Sequence, residues 1–135
     1  MRGAAAGAIA AAAWAAGEPV LQRLVRTPYS DVRLLGRLVT RGRGWPAAGV
    51  ALHVANGAVF GAAFERAGLR GVKAGVLAAE AENAALWPAL ALVDRFHPDR
   101  RDGTWPPLAR SPRVAAYEFL AHALFGAVLG ALVRR

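Results

Sequence analysis

Residues 45–64 read WPAAGVALHVANGAVFGAAF and carry no charged side chain. A surface helix of a soluble protein presents a charged or polar stripe at every third or fourth position, and this stretch has no charged stripe. Its roughly 20 residues match the length that a single helix needs to cross a hydrocarbon core of about 30 Å. The stretch therefore predicts a transmembrane helix, and with it a membrane protein.

Three more segments of the 135-residue chain have a similar character. Residues 4–16 carry no charge, whereas the other two segments carry glutamates, Glu118 in one and both Glu80 and Glu82 in the other. We therefore predict an all-α, single-domain bundle of four transmembrane helices. The predicted spans cover about Gly3–Leu21, Trp45–Phe64, Val72–Val93 and Val114–Val133.

The second and fourth predicted spans can be aligned without a gap at an offset of 69 residues. His53 then aligns with His122, and the glycines that follow each histidine align as well. Alanine matches carry little weight in this chain, but it contains only three histidines. The alignment predicts a tandem duplication of a helical hairpin, with repeats over about residues 1–66 and 70–135. Such hairpins would be related by an axis along the membrane normal.

The N-terminal segment admits a second interpretation. Arg2 followed by an apolar run of small residues is also typical of a cleaved secretory signal peptide. The predicted duplication favours a retained span, because it pairs Pro19 of the first segment with Pro88 of the third.

The chain is strongly basic, with 17 Lys and Arg residues, 9 Asp and Glu residues and a net charge of +8. In a soluble protein this excess would favour nucleic-acid binding. Here the arginines lie at the ends of apolar segments and in the connections, so the expected partner is the lipid bilayer and not nucleic acid. Eleven of the 17 lie in two long connections, residues 22–44 and 94–113, which leaves six elsewhere. The bias predicts a multi-pass protein of the cell membrane with cytoplasmic long connections and both termini outside.

The first long connection contains a predicted short amphipathic helix over residues 31–40. Ser30 is placed to cap its N-terminus, and arginines recur every four residues from Arg33 to Arg41. Two placements fit this pattern. The helix could lie in the membrane interface with its arginines toward lipid phosphates, or it could pack on the loops.

The second long connection, rich in proline, predicts irregular structure at the membrane interface. Trp105 within it, together with Trp45, is expected to anchor the chain at that interface. His97, which precedes Pro98, is interpreted as a turn residue.

Small residues at four-residue spacing recur in three of the predicted spans. Missing side chains let two helix backbones approach closely, so these positions predict tight helix packing. The predicted packing residues are Gly3, Gly7, Gly57, Gly61, Gly126 and Gly130.

Eight acidic, histidine or amide side chains lie within the predicted spans. His53 and His122 each lie about 12 Å from the connection side, at 1.5 Å per helical residue. Exposing such groups to lipid is unfavourable, about 2.5–3.5 kcal/mol for an Asp at a helix centre, so they should face the interior or a partner. Glu80 and Glu82 lie on opposite sides of one helix, and one of them is expected to face a second copy. The candidate binding site comprises His53, Asn56, Glu80, Asn83, Glu118 and His122, with Glu18 and Glu82 as secondary members.

These residues admit several functions. As interhelical hydrogen-bonding groups they would belong to a membrane-embedded packing or assembly module, with a second copy or another membrane subunit as partner, and this is the primary expectation. As titratable groups they would form a path in a proton- or cation-coupled transporter or channel component. As paired ligands, His53 and His122 would hold a haem or metal ion, with Gly57 and Gly126 leaving room for a flat ring. The chain has no cysteine and no recognisable enzyme motif, so no catalytic residue or cofactor is expected.

The pattern His53-Gly57-Gly61, repeated as His122-Gly126-Gly130, resembles small bacterial integral membrane proteins in which a span carries a histidine followed by glycines at four-residue steps. The likeness covers the second and fourth spans, about a third of the chain. It implies a membrane location and no particular activity.

Overall fold

The structure is a computed structural model and describes residues 1–133. Arg134 and Arg135, which belong to the predicted second repeat and to its basic flank, lie outside the described residues. The described part is helical and without strands, so the predicted all-α fold is confirmed. Its helices are α1 (Gly3–Val25), α2 (Asp31–Val39), α3 (Trp45–Arg66), α4 (Gly71–Leu86), α5 (Leu90–Phe96), α6 (Pro98–Arg101) and α7 (Pro112–Leu132).

Four helical segments are long and apolar enough to cross a membrane, as predicted. They are α1, α3, α7 and the continuous stretch Gly71–Phe96, in which α4 and α5 are joined by a 3₁₀ turn over Trp87–Ala89. The turn contains Pro88, which has no N–H to donate and clashes with an α-helical carbonyl one turn earlier. The third span therefore passes through one turn of 3₁₀ helix at the proline.

The four spans form a bundle with α1 and α7 at its centre. α1 packs against α3 and α7, and α4 packs against the other side of α7. The two outer helices, α3 and α4, make no extensive contact with each other in the described chain. In two symmetric hairpins, the contact between α1 and α7 would be matched by one between α3 and α4. The predicted duplication of a hairpin therefore stays a prediction.

Glycines bring α1 into backbone contact with α3, and α4 into backbone contact with α7. A Cβ atom at Gly7 would overlap the carbonyl of Gly57 in α3, and one at Gly126 would overlap the carbonyl of Gly75 in α4. The same close approach joins Gly3 to Gly61 and Gly130 to Gly71. All six predicted packing glycines lie at such contacts, together with a fourth glycine pair, Gly71 and Gly75, in the third span.

Helix α2 packs on α3 and does not lie free in the interface. A Cβ at Gly36 of α2 would overlap backbone atoms of α3, and a Cβ at Gly49 of α3 would overlap backbone atoms of α2. The side chain of Ser30 accepts a hydrogen bond from the Arg33 N–H, as the predicted cap requires. Of the two placements left open, the structure shows the packed one, in which Arg33 and Arg37 point to Asp99 in the second connection.

The predicted interfacial anchor at Trp105 is also wrong. Its side chain is only 2% exposed and packs between the rings of Tyr29 and His97. The indole N–H donates to the carbonyl oxygen of Pro28 at 3.1 Å, which satisfies its one polar group. Residues 27–44 and 94–111 thereby form one folded unit, the connection cap, at the end of the bundle opposite Gly3 and Leu132.

His97 within the cap is a fully buried helix cap. Its Nδ1 accepts from the Asp99 N–H at 3.2 Å, and its Nε2 lies 3.2 Å from the carbonyl oxygen of Leu34. A carbonyl accepts only, so Nε2 carries the proton and the ring is neutral. Burial lowers the pKa of His97, which keeps it in this neutral form.

Candidate functional site

A cavity of about 230 Å³ lies in the space between α3 and α4, with α1 and α7 at its back and α2 over one end. Its walls mix aromatic rings with polar groups, and among the residues that line it in the described chain there is no Lys or Arg. The aromatic residues other than tyrosine are Trp14, Phe60, Trp87 and Phe125. The polar residues are Tyr29, Asp31, His53, Asn56, Glu82, Asn83, Glu118 and His122.

The two histidines of the candidate site contact the same indole ring. His53 and His122 each pack edge-on against Trp14, with ring centroids 4.8 Å apart in both cases. Both side chains are buried, at 6% and 7% exposure. The Nε2 atom of His53 has no hydrogen-bond partner among the described residues. A buried, unpaired ring nitrogen on the wall of a cavity is available to a ligand or a proton.

Glu118 and His122 form a pair one helical turn apart on α7. The Nδ1 atom of His122 lies 2.8 Å from the backbone carbonyl oxygen of Glu118 and 3.4 Å from its carboxylate Oε2. Both oxygens are acceptors, so Nδ1 carries the proton and Nε2 is the nitrogen that can gain or lose one. Helical spacing therefore supplies a carboxylate and an imidazole that can share charge inside the bundle.

Glu18 has a structural role beside the cavity and does not line it. Its carboxylate accepts from the Ser30 hydroxyl at 2.6 Å, the Asp31 N–H at 2.8 Å and the Tyr117 hydroxyl at 2.7 Å. These bonds join α1 to the N-terminus of α2 and to α7. A carboxylate that receives this many donors is held in place and has little acceptor capacity left for a ligand.

Asp31 and Tyr29, neither of which was predicted as a site residue, enter the cavity from the connection cap. The Tyr29 hydroxyl donates to Asp31 Oδ1 at 2.9 Å, whereas Asp31 Oδ2 has no partner in the described chain. Burial, reinforced by the carboxylates of Glu118 and Glu18, raises the pKa of Asp31 well above its usual range. One signal was present in the sequence, since Asp31 lies one turn before Leu34 and Leu35 and so shares their apolar helix face.

The two glutamates of the third span take opposite positions. Glu82 lines the cavity, while Glu80 lies on the outer side of α4 in a shallow groove with Trp87 and Phe119. Asn83 borders both spaces and donates to Glu80 at 3.3 Å. The candidate site therefore contains the secondary member Glu82 and lacks Glu80, whereas Asn56 lines the cavity from an exposed position.

The space expected beside the histidines for a flat ring is filled. Gly57 faces Gly7 and Ala11 of α1, and Gly126 faces Gly75 of α4. In residues 1–133, moreover, no three His, Asp or Glu side chains converge in an arrangement that could hold a metal ion. The glycines on which the haem interpretation depended therefore pack helices together.

The cavity thus offers carboxyl, imidazole and amide groups, with aromatic rings between them, inside an apolar bundle. Ionisable groups in such a setting exchange protons or neutralise cations. Comparisons of the chain with protein-family models, with curated proteins and with solved structures found no match.

Proposed function

We propose that the protein is a proton- or cation-coupled transporter or channel component of the cell membrane. One observation carries this proposal. Acidic and imidazole side chains from α2, α3, α4 and α7 converge on a single cavity that no Lys or Arg of the described chain lines. Uncompensated carboxylates at membrane depth are unfavourable unless they take up protons or cations. Polar groups that only held helices together would be expected to pair with each other instead.

The depths of these groups suit a path that begins at the connection cap. Counted from that side, Glu118 lies about 9 Å into α7 and His53 about 12 Å into α3. Asp31 stands at the near end, and its raised pKa lets it hold a proton where an ordinary aspartate is ionised. Acceptors at successive depths are what a proton relay requires.

The far end of the cavity is closed by aromatic rings. Phe60 of α3 and Phe125 of α7 contact each other edge-on, with centroids 5.4 Å apart. Phe60 lies about 22 Å from the connection side, and the glycine contacts between neighbouring helices continue beyond it. We therefore assign this ring pair as the barrier that a permeating ion must pass on the side of the termini.

The proposal is tested by proton flux into liposomes that contain the purified protein and a trapped pH-sensitive dye. Glu82→Gln should reduce the rate at which an imposed pH gradient collapses at least tenfold. Glu80→Gln is the matched control, because it makes the same chemical change on the same helix outside the cavity, and it should keep the wild-type rate. A wild-type protein that is no faster than empty liposomes in the presence of Na⁺, K⁺ and an imposed membrane potential would overturn the proposal.

An assembly role is the second candidate, and the outer face of α4 favours it. Only 11% of the third span's most apolar window is buried within the chain, against 50% for α7. Glu80 on that face has a buried carboxylate oxygen, Oε1, without a partner in the described residues. A second copy or another membrane subunit would cover the exposed face of the span and supply the missing hydrogen-bond donor. If so, Glu80→Ala should shift the detergent-solubilised protein to a smaller assembly in light scattering.

The orientation proposed from the charge bias places the connection cap in the cytoplasm. The resemblance to small bacterial membrane proteins supports the membrane location but not the side. The cysteine-free chain allows a direct test with Thr104→Cys in the cap and Leu69→Cys in the opposite loop, both exposed. An impermeant thiol reagent added to intact cells should label position 69 and not position 104. The reverse pattern would invert the topology.

A further inference from the structure

The walls of the cavity restrict the kind of cation that it accepts. Glu82 and Glu118 supply negative charge from two helices, and the rings of Trp14, Trp87 and Phe125 lie on the same walls. The face of an aromatic ring attracts a cation, most strongly when water is excluded. A cation bound here would be surrounded largely by rings, with the carboxylates balancing its charge.

An inorganic divalent ion does not fit this arrangement. Calcium takes six to eight oxygen ligands, and magnesium requires near-octahedral oxygen coordination. Through residue 133, His, Asp and Glu side chains form no group of three that could coordinate a metal. The acidic groups are spread over a cavity of about 230 Å³ and do not meet at one point. A larger cation with an apolar body matches acidic groups that are spread out in this way.

The volume gives the size of that body. A cavity of about 150 Å³ holds benzene, with six non-hydrogen atoms. In proportion, 230 Å³ holds about nine non-hydrogen atoms, which is the size of an aromatic ring with a short amine-bearing chain. His53 is 6% exposed. Its Nε2 is the one buried ring nitrogen on the wall that lacks a hydrogen-bond partner in the described chain. As an acceptor it suits the N–H of a primary ammonium group.

We infer that the cavity binds a small organic ammonium ion of about nine non-hydrogen atoms, held by the carboxylates of Glu82 and Glu118, the ring of Trp14 and Nε2 of His53. The inference rests on the proposed function and names its substrate class. The ammonium group lies among the acidic side chains, and the apolar body lies against Phe60 and Phe125.

The test is calorimetric titration of the full-length protein in mild detergent with phenethylammonium. Propylbenzene, which has the same shape with carbon in place of nitrogen, is the uncharged comparison on the unaltered protein. Phenethylammonium should bind saturably and at least tenfold more tightly than propylbenzene. Glu82→Gln should weaken ammonium binding at least tenfold, while Glu80→Gln should leave it unchanged.

Each contrary outcome has a separate meaning. Equal binding of phenethylammonium and propylbenzene would overturn the inference, because the cavity would then be a purely apolar site. Absence of phenethylammonium binding, or its displacement by millimolar Na⁺ or Ca²⁺, would overturn it as well. Proton flux measured on the same preparation separates the two proposals. Flux without ammonium binding overturns only the substrate class, and ammonium binding without any flux overturns only the transport function.

Discussion

The Nδ1 atom of His122 lies 3.4 Å from the carboxylate of Glu118, one turn earlier on α7, at the wall of a cavity in the membrane bundle. His122→Gln keeps a side chain that can donate to the Glu118 carbonyl but cannot carry a proton at physiological pH. Its cost in stability should be small, about 1 kcal/mol, since a typical side-chain hydrogen bond contributes about that much. We expect thermal unfolding to change little while liposomal proton flux falls at least tenfold. Unchanged flux in the folded variant would remove His122 from the path.

Asp31 should make the protein less stable as the pH rises. Its folded-state pKa is raised by burial and by the carboxylates of Glu118 and Glu18, so the folded state binds the proton more tightly than the unfolded chain. The resulting stabilisation is fully present below the unfolded pKa of about 3.9 and is lost as the pH rises through the raised folded pKa. Asp31→Asn keeps an acceptor for the Tyr29 hydroxyl and should flatten the pH profile of thermal unfolding above about pH 4. Parallel profiles for variant and wild type would contradict the assigned pKa.

The connection cap depends on one buried carboxylate. Asp99, with its side chain 1% exposed, accepts two hydrogen bonds from Arg33 at 2.9 and 2.8 Å. Arg33 is one-third exposed, so the pair is only partly buried, and Asp99→Asn should cost about 2 kcal/mol of unfolding free energy through its lost charge-assisted hydrogen bonds. Asp102→Asn is the control, since Asp102 is 61% exposed and 3.9 Å from Arg37, and it should cost less than about 1 kcal/mol. Equal losses in the two variants would show that the Asp99 pair is not what holds the cap.

Helix packing predicts a contrast between two glycines. A methyl group at Gly126 would overlap the carbonyl of Gly75, whereas one at Gly44 would meet nothing within 4 Å. Overpacking of a close contact typically costs about 1–3 kcal/mol. Gly126→Ala should therefore lower the unfolding midpoint in detergent clearly, and Gly44→Ala should not. A fully tolerated Gly126→Ala would mean that α4 and α7 are further apart than described.

The number of spans followed from the sequence because membrane crossing depends on length and on the absence of charge. Segments such as residues 45–64 satisfy both conditions without any knowledge of their neighbours. The Ser30 cap was also predictable, since a hydroxyl three residues before a free N–H is a local feature. The presence of His53 and His122 at matching depth follows from counting residues along a helix.

The direction in which each helix faces could not be predicted in the same way. Lipid and bundle interior are both apolar, so a transmembrane helix shows little contrast between its faces. The sequence therefore showed that Glu80 and Glu82 lie on opposite sides of the helix. It did not show which of the two faces inward. The burial of Trp105 depends on contact between two connections that are more than 60 residues apart in sequence, as in the Arg33–Asp99 pair. Such contacts leave no local pattern in the sequence.

The convergence of the polar groups on one interior is tested most directly by crosslinking within a monomer. Both imidazoles contact Trp14 at 4.8 Å between centroids, so cysteines replacing His53 and His122 should be joined by a reagent about one helix diameter long, roughly 10 Å. A control pair uses position 59 in place of 53, because Val59 is 70% exposed on α3. In membranes, the 53/122 pair should give an intramolecular crosslink and the 59/122 pair should not. No 53/122 crosslink, or equal yields for the two pairs, would contradict a shared cavity.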